Sequence, residues 1–157
     1  LGLGSYVDGQ EMAATGRLVG EQEMPITKNS KQLVEEANAV VERIDPAAVI
    51  SGADAEYIFV DIRDVRELDK EGMIPNAIHA PRGMIEFWVD PASPYHRDVF
   101  DRHDKTYLLY CQSAWRSALA SKSLHEMGMT NVKHLAGGFT AWKEAGGAIV
   151  ERPKKKS

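Results

Sequence analysis

Four short runs of β-branched, aromatic and aliphatic residues, separated by stretches of helical type, constrain the fold of this chain most. They are Tyr57-Ile58-Phe59-Val60-Asp61-Ile62, Ala77-Ile78-His79-Ala80, Thr106-Tyr107-Leu108-Leu109-Tyr110 and Val132-Lys133-His134-Leu135. The first shows no helical period and reads as a buried strand, and the others read as three further short strands. Between them lie a polar helical stretch from Val65 to Glu71 ended by Gly72, and a helical run from Arg82 to Val89. A third helix places Ala120, Leu124 and Met127 on one face before Gly128, and a last one runs from Gly138 to Ala145. Strands alternating with helices predict an α/β domain whose mainly parallel sheet is flanked by helices on both faces.

The domain is expected over residues 29–150. At its start Leu33, Val34, Ala37, Val40, Val41 and Ile44 recur at helical spacing, with Asn29 or Ser30 as cap and Pro46 as the stop. Residues 1–28 show no period and read as an irregular arm, and residues 151–157 as a basic, solvated tail. An arm packed on a second subunit, giving a homodimer, is the alternative reading of residues 1–28.

The net charge of −4 in 157 residues argues against a nucleic-acid partner. No apolar run approaches a membrane span. The single cysteine cannot form an internal disulfide, so a reducing compartment such as the cytoplasm is the default. A chain starting at Leu1 also fits a processed precursor or an internal fragment, which constrains localisation only weakly. His79, His96, His103, His125 and His134 show no metal-ligand spacing with Cys or carboxylates, so no metal and no cofactor is expected.

Chemistry concentrates where the third strand ends. Cys111-Gln112-Ser113-Ala114-Trp115-Arg116 runs from that strand into a helix, and ligands of open parallel sheets sit at the carboxyl ends of strands. Asp61 falls at the same edge. An isolated cysteine is more often a small core residue. An arginine five positions on, followed by Ser117 and a helix, turns the reading to a thiolate held by backbone amides. Four residues separate Cys111 from Arg116, one fewer than in cysteine-phosphatase loops. The tighter ring suits a small reacting atom, such as a sulfur carried on the thiolate. It also disfavours a phosphatase or arsenate reductase.

At these residues the chain resembles the single-domain rhodaneses, a sulfurtransferase family. Asp61-Ile62-Arg63-Asp64 with Glu67 resembles the family's Asp-Val-Arg-Glu segment, and Gly72-Met73-Ile74-Pro75-Asn76-Ala77-Ile78 its Gly-His-Ile-Pro-Gly-Ala-Ile segment. Cys111 to Arg116 matches the Cys-x4-Arg loop, and Gly137-Gly138-Phe139-Thr140-Ala141-Trp142 the closing Gly-Gly-x3-Trp. Together these cover about residues 44–149 in register. Met73, Asn76 and Ala114 depart from the usual His, Gly and Gly. Where Ala114 needs a positive φ, it costs about 1 kcal/mol.

The resemblance implies a sulfurtransferase acting through a Cys111 persulfide, with a small anionic donor such as thiosulfate and a thiol or cyanide acceptor. Cys111 and Arg116 would be catalytic, with Arg116 orienting the donor. Gln112, Ser113, Ala114, Trp115, Asp61 and Arg63 would form the substrate-binding set, with Asp61 and Arg63 bracing the loop rather than reacting. The alternative is a sulfur-carrier or regulatory module that works with a protein partner.

Overall fold

The computed structural model describes residues 18–19, 22–23, 25–53 and 56–154. Most of the expected arm at 1–28, and the end of the tail at 151–157, lie outside the described residues. The chain divides into two units, residues 1–35 and 36–157.

The first unit holds a short antiparallel ribbon, β1 (Leu18–Val19) with β2 (Gln22–Glu23), and the opening of helix α1 (Ser30–Val40). Asn29 rather than Ser30 caps that helix. Its Oδ1 accepts from the Gln32 amide at 2.8 Å, while Gln32 Oε1 accepts from the Asn29 amide at 2.9 Å.

The second unit is built on five strands: β3 (Arg43–Ile44), β4 (Tyr57–Asp61), β5 (Ile78–His79), β6 (Thr106–Tyr110) and β7 (Val132–Leu135). Their order is β3-β7-β6-β4-β5, and every pairing is parallel. Strand β6 lies at the centre and is buried from Tyr107 to Tyr110 because both its faces are covered. Tyr107, Leu109 and Cys111 join one core with Ile85 and Val89 of α4 (Ile85–Val89) and Ala120 and Leu124 of α5 (Trp115–Glu126). Leu108 and Tyr110 point the other way, to Val49 and to Phe139 and Trp142 of α6 (Gly138–Glu144). Helices thus cover both faces.

One expected helix is shorter than its sequence pattern. The structure ends α1 at Val40 and makes Arg43–Ile44 the edge strand. His134 N–H donates to the Glu42 carbonyl at 3.1 Å and Ala136 N–H to that of Ile44 at 2.9 Å. Joining the open edge of the sheet satisfies these groups at long range, which a local period cannot reveal. Pro46 opens a helix instead of stopping one: α2 (Pro46–Ala48) has Asp45 as its cap, accepting from Ala47 N–H at 3.1 Å. The missing proline N–H costs nothing at that position. The run expected to be helical from Arg82 starts at Ile85, after a turn closed by Met84 N–H to Pro81 O at 2.8 Å. Met127 lies just past α5 and is exposed rather than on its buried face.

Candidate active site

Asp61 and Tyr110 are in register, so the ends of β4 and β6 deliver Asp61 and Cys111 to one edge of the sheet. Cys111 is 1% exposed. Its Sγ accepts from the Ser117 amide at 3.4 Å, and its S–H reaches Ser117 Oγ at 3.6 Å. The chain returns from strand to helix through Ala114, which has φ 75° and leads into α5 without a side-chain cap. Among the described residues the non-glycines at positive φ are Ala114 and Asn76, with φ 65°. Both stand where the motifs quoted above carry Gly. Asn tolerates this conformation far better than Ala, so the strain sits in the cysteine loop.

Two arginines reach the loop from different sides. Arg63 is wholly buried and pairs with the equally buried Asp61 at 2.8 Å. It also donates to Gln112 Oε1 at 3.0 Å and to the Gly72 carbonyl at 2.8 Å, and its guanidinium lies 4.2 Å from the Phe139 ring centroid. Asp61 and Arg63 thus support the loop from beneath, with their charged groups committed to each other and to the loop. Gln112 extends this brace, since its Nε2 donates to Thr140 Oγ1 at 3.1 Å.

Arg116 sits at the rim. It makes two bonds to Glu67, at 2.8 and 2.9 Å, and keeps 42% of its side-chain surface exposed. The same bonds hold the Glu67 carboxyl below its ordinary range and Arg116 above its own. Glu67 is itself fixed by the capping box of α3 (Val65–Glu71), in which its Oε2 accepts from Asp64 N–H at 3.1 Å. Trp115 is 59% exposed beside the loop, Ser113 is exposed too, and Arg82 forms an ion pair with Glu86 at 3.0 Å.

The loop backbone is pinned by the start of α6. Phe139 N–H donates to the Cys111 carbonyl at 2.8 Å and Thr140 N–H to that of Gln112 at 3.1 Å. A Cβ on Gly138 would lie 2.6 Å from both carbonyl oxygens, so a side chain there would push the helix off the loop.

Sequence reasoning missed the group behind the sulfur. Ser117 Oγ lies 2.9 Å from His134 Nδ1, and His134 Nε2 lies 2.8 Å from Asn38 Oδ1. The signal was present: Val132 belongs to the core on the Cys111 side, and His134, two residues on in the same strand, shares its face. Burial, and then Arg43 nearby, push the His134 pKa down to about 4. Among the described residues no cluster of His, Cys, Asp or Glu could hold a metal ion, and no helix is long and apolar enough to cross a membrane.

Residues 45–145 match the rhodanese-like domain family. The chain belongs to that family. The Bacillus subtilis protein YqhL is 44% identical over 83 residues, covering 53% of this chain and 58% of its own length. This chain spans less than two thirds of each curated relative it matches. Among solved structures, RPA3614 of Rhodopseudomonas palustris, a protein of unknown function described as a possible tyrosine phosphatase, is 40% identical with a TM-score of 0.76. The match covers 82% of this chain and 99% of that one. The polysulfide-sulfur transferase homodimer of Wolinella succinogenes is 27% identical with a TM-score of 0.56, over 78% and 87% of the two chains. The rhodanese-like fold and a sulfurtransferase among its neighbours place the chain in the broad sulfurtransferase superfamily.

Proposed function

We propose that this protein moves a sulfane sulfur from a small anionic donor to a thiol or cyanide acceptor, through a persulfide on Cys111. The observation that carries this reading is a lone thiol at the carboxyl edge of a parallel sheet, its sulfur bonded by the Ser117 amide at the start of α5. An amide donor is retained when the sulfur loses its proton, and it steadies the thiolate.

With thiosulfate, the Cys111 thiolate attacks the outer sulfur. The S–S bond of the donor breaks, sulfite leaves with the electron pair, and a Cys111 persulfide anion remains. An acceptor thiolate or cyanide then attacks the outer persulfide sulfur and returns the Cys111 thiolate, a two-step exchange of ping-pong type. Arg116, half-exposed at the rim, orients the anionic donor. Trp115 lines the mouth, the loop from Gln112 to Trp115 surrounds the transferred sulfur, and Asp61 and Arg63 hold that loop in shape. Polysulfide, the substrate in the name of the Wolinella neighbour, is the second donor to try.

Incubation with thiosulfate followed by intact mass measurement tests the proposal. The wild-type chain is expected to gain one sulfur atom, and Cys111→Ser none. Gain only from a protein donor would make the chain a sulfur carrier instead. Hydrolysis of an aryl phosphate, lost in Cys111→Ser, would favour the activity ascribed to the Rhodopseudomonas relative. The four residues between Cys111 and Arg116, one fewer than in cysteine-phosphatase loops, argue against that outcome.

A further inference from the structure

The sulfur of Cys111 ends a buried chain of hydrogen bonds whose direction can be read. The carbonyl oxygen of Asn38 can only accept, so the proton of the His134 ring lies on Nε2 and donates to it across 2.8 Å. His134 is buried and held neutral, so its Nδ1 carries no proton and accepts from the Ser117 hydroxyl at 2.9 Å. The hydroxyl proton therefore points at His134, and an oxygen lone pair faces Cys111 Sγ at 3.6 Å. That lone pair accepts an S–H proton but repels a thiolate.

We infer that His134 is a positioning residue for Cys111: with Asn38 fixing its tautomer, it holds the Ser117 hydroxyl proton away from the sulfur and restrains the thiolate. The inference rests on the proposed nucleophilic role of Cys111. The thiolate gains the hydroxyl as a donor only when Ser117 releases His134 and turns. The charged groups at this chain are Arg43 on β3, which faces His134, and Arg116 on α5, which faces Cys111 and is bonded to Glu67 on α3. Arg43 opposes an imidazolium, so His134 is a poor destination for the thiol proton. Arg116 favours the thiolate and so works against the restraint. Ser117, His134 and Asn38 thus set the reactivity of the sulfur without touching substrate.

The test is the pH titration of thiolate ultraviolet absorbance, which is unambiguous with one cysteine in the chain and Cys111→Ser as the blank. His134→Phe keeps a ring but removes the acceptor, so the midpoint is expected to fall by about one pH unit, or about tenfold more thiolate at a fixed pH below it. Asn38→Ala, on the half-buried side of α1, frees the tautomer and is expected to move the midpoint the same way by less. In a Ser117→Ala background His134→Phe is expected to add nothing. An unmoved midpoint in His134→Phe or, should that variant not fold, in Asn38→Ala overturns the inference. A shift that survives in Ser117→Ala overturns it too. The titration needs no sulfur donor, so failure of persulfide formation would remove the proposed function and leave this result readable.

Discussion

The two arginine–carboxylate pairs at the loop use the same chemistry in opposite surroundings. Arg63 and Asp61 are 0% exposed, whereas Arg116 and Glu67 keep 42% and 30% of their side-chain surfaces. A buried pair gains little net stability over apolar packing but cannot lose one member, since the other is then a bare charge in a medium of low dielectric. A half-exposed pair is cheap to form and cheap to open. The lower pair is therefore scaffold, and the upper one is where charge can be exchanged with a ligand.

Removing one member of the lower pair should have the largest effect. Arg63→Met leaves Asp61 buried and unpaired, and about 3–5 kcal/mol of folding stability is expected to be lost in urea titrations. A loss under about 1 kcal/mol would show that water reaches Asp61 and would dissolve the contrast. Acid separates the regions next. His134 takes up a proton in the unfolded chain near 6.5 but in the folded one only near 4. Stability should therefore fall as pH drops between these values, by on the order of 3 kcal/mol, and His134→Phe should flatten that window. Glu67 is held below its ordinary 4.5, so its contribution is present above that value and is lost only at lower pH. Circular dichroism melts from neutral to acid pH would resolve the two windows.

Ala114→Gly relieves a left-handed alanine and is expected to stabilise the chain by about 1 kcal/mol or slightly less, after the greater freedom of glycine in the unfolded state. A differential scan would read this as a raised Tm. The smallest change in stability, under about 1 kcal/mol, belongs to Glu67→Gln. There the sharper readout is kinetic. With Arg116 no longer neutralised, the KM for thiosulfate should fall. A KM that rises would give Glu67 the task of aiming Arg116 and make the rim as fixed as the base.

The parts of this molecule legible in its sequence are those fixed by local pattern. Strands β6 and β7 run over the expected residues because Thr106–Tyr110 is rich in aromatic and aliphatic residues and Val132–Leu135 is a short segment bounded by apolar residues at both ends. Helix α3 does so because Asp64 caps it and Gly72 closes it. What escaped was set by partners distant in sequence. Residues 41–44 carry on a helical period, and only the open edge at β7 draws Arg43 and Ile44 into strand. The bond between Arg116 and Glu67 spans 49 positions, and that between His134 and Asn38 spans 96. Spacing within a motif could bring Cys111 and Arg116 to one loop. It could not say that the arginine was already engaged, or that a histidine without metal spacing stood behind the sulfur.

The pinning of the loop by α6 sets an order of events during synthesis. Cys111 and Gln112 leave the ribosome well before Phe139 and Thr140, whose amides bond their carbonyls. Until the later residues emerge, the carbonyls of Cys111 and Gln112 lack these partners and the loop is not yet pinned. A nascent chain therefore carries its cysteine without the geometry proposed to load it with sulfur. The loop around the sulfur takes its finished shape only with the last helix of the domain.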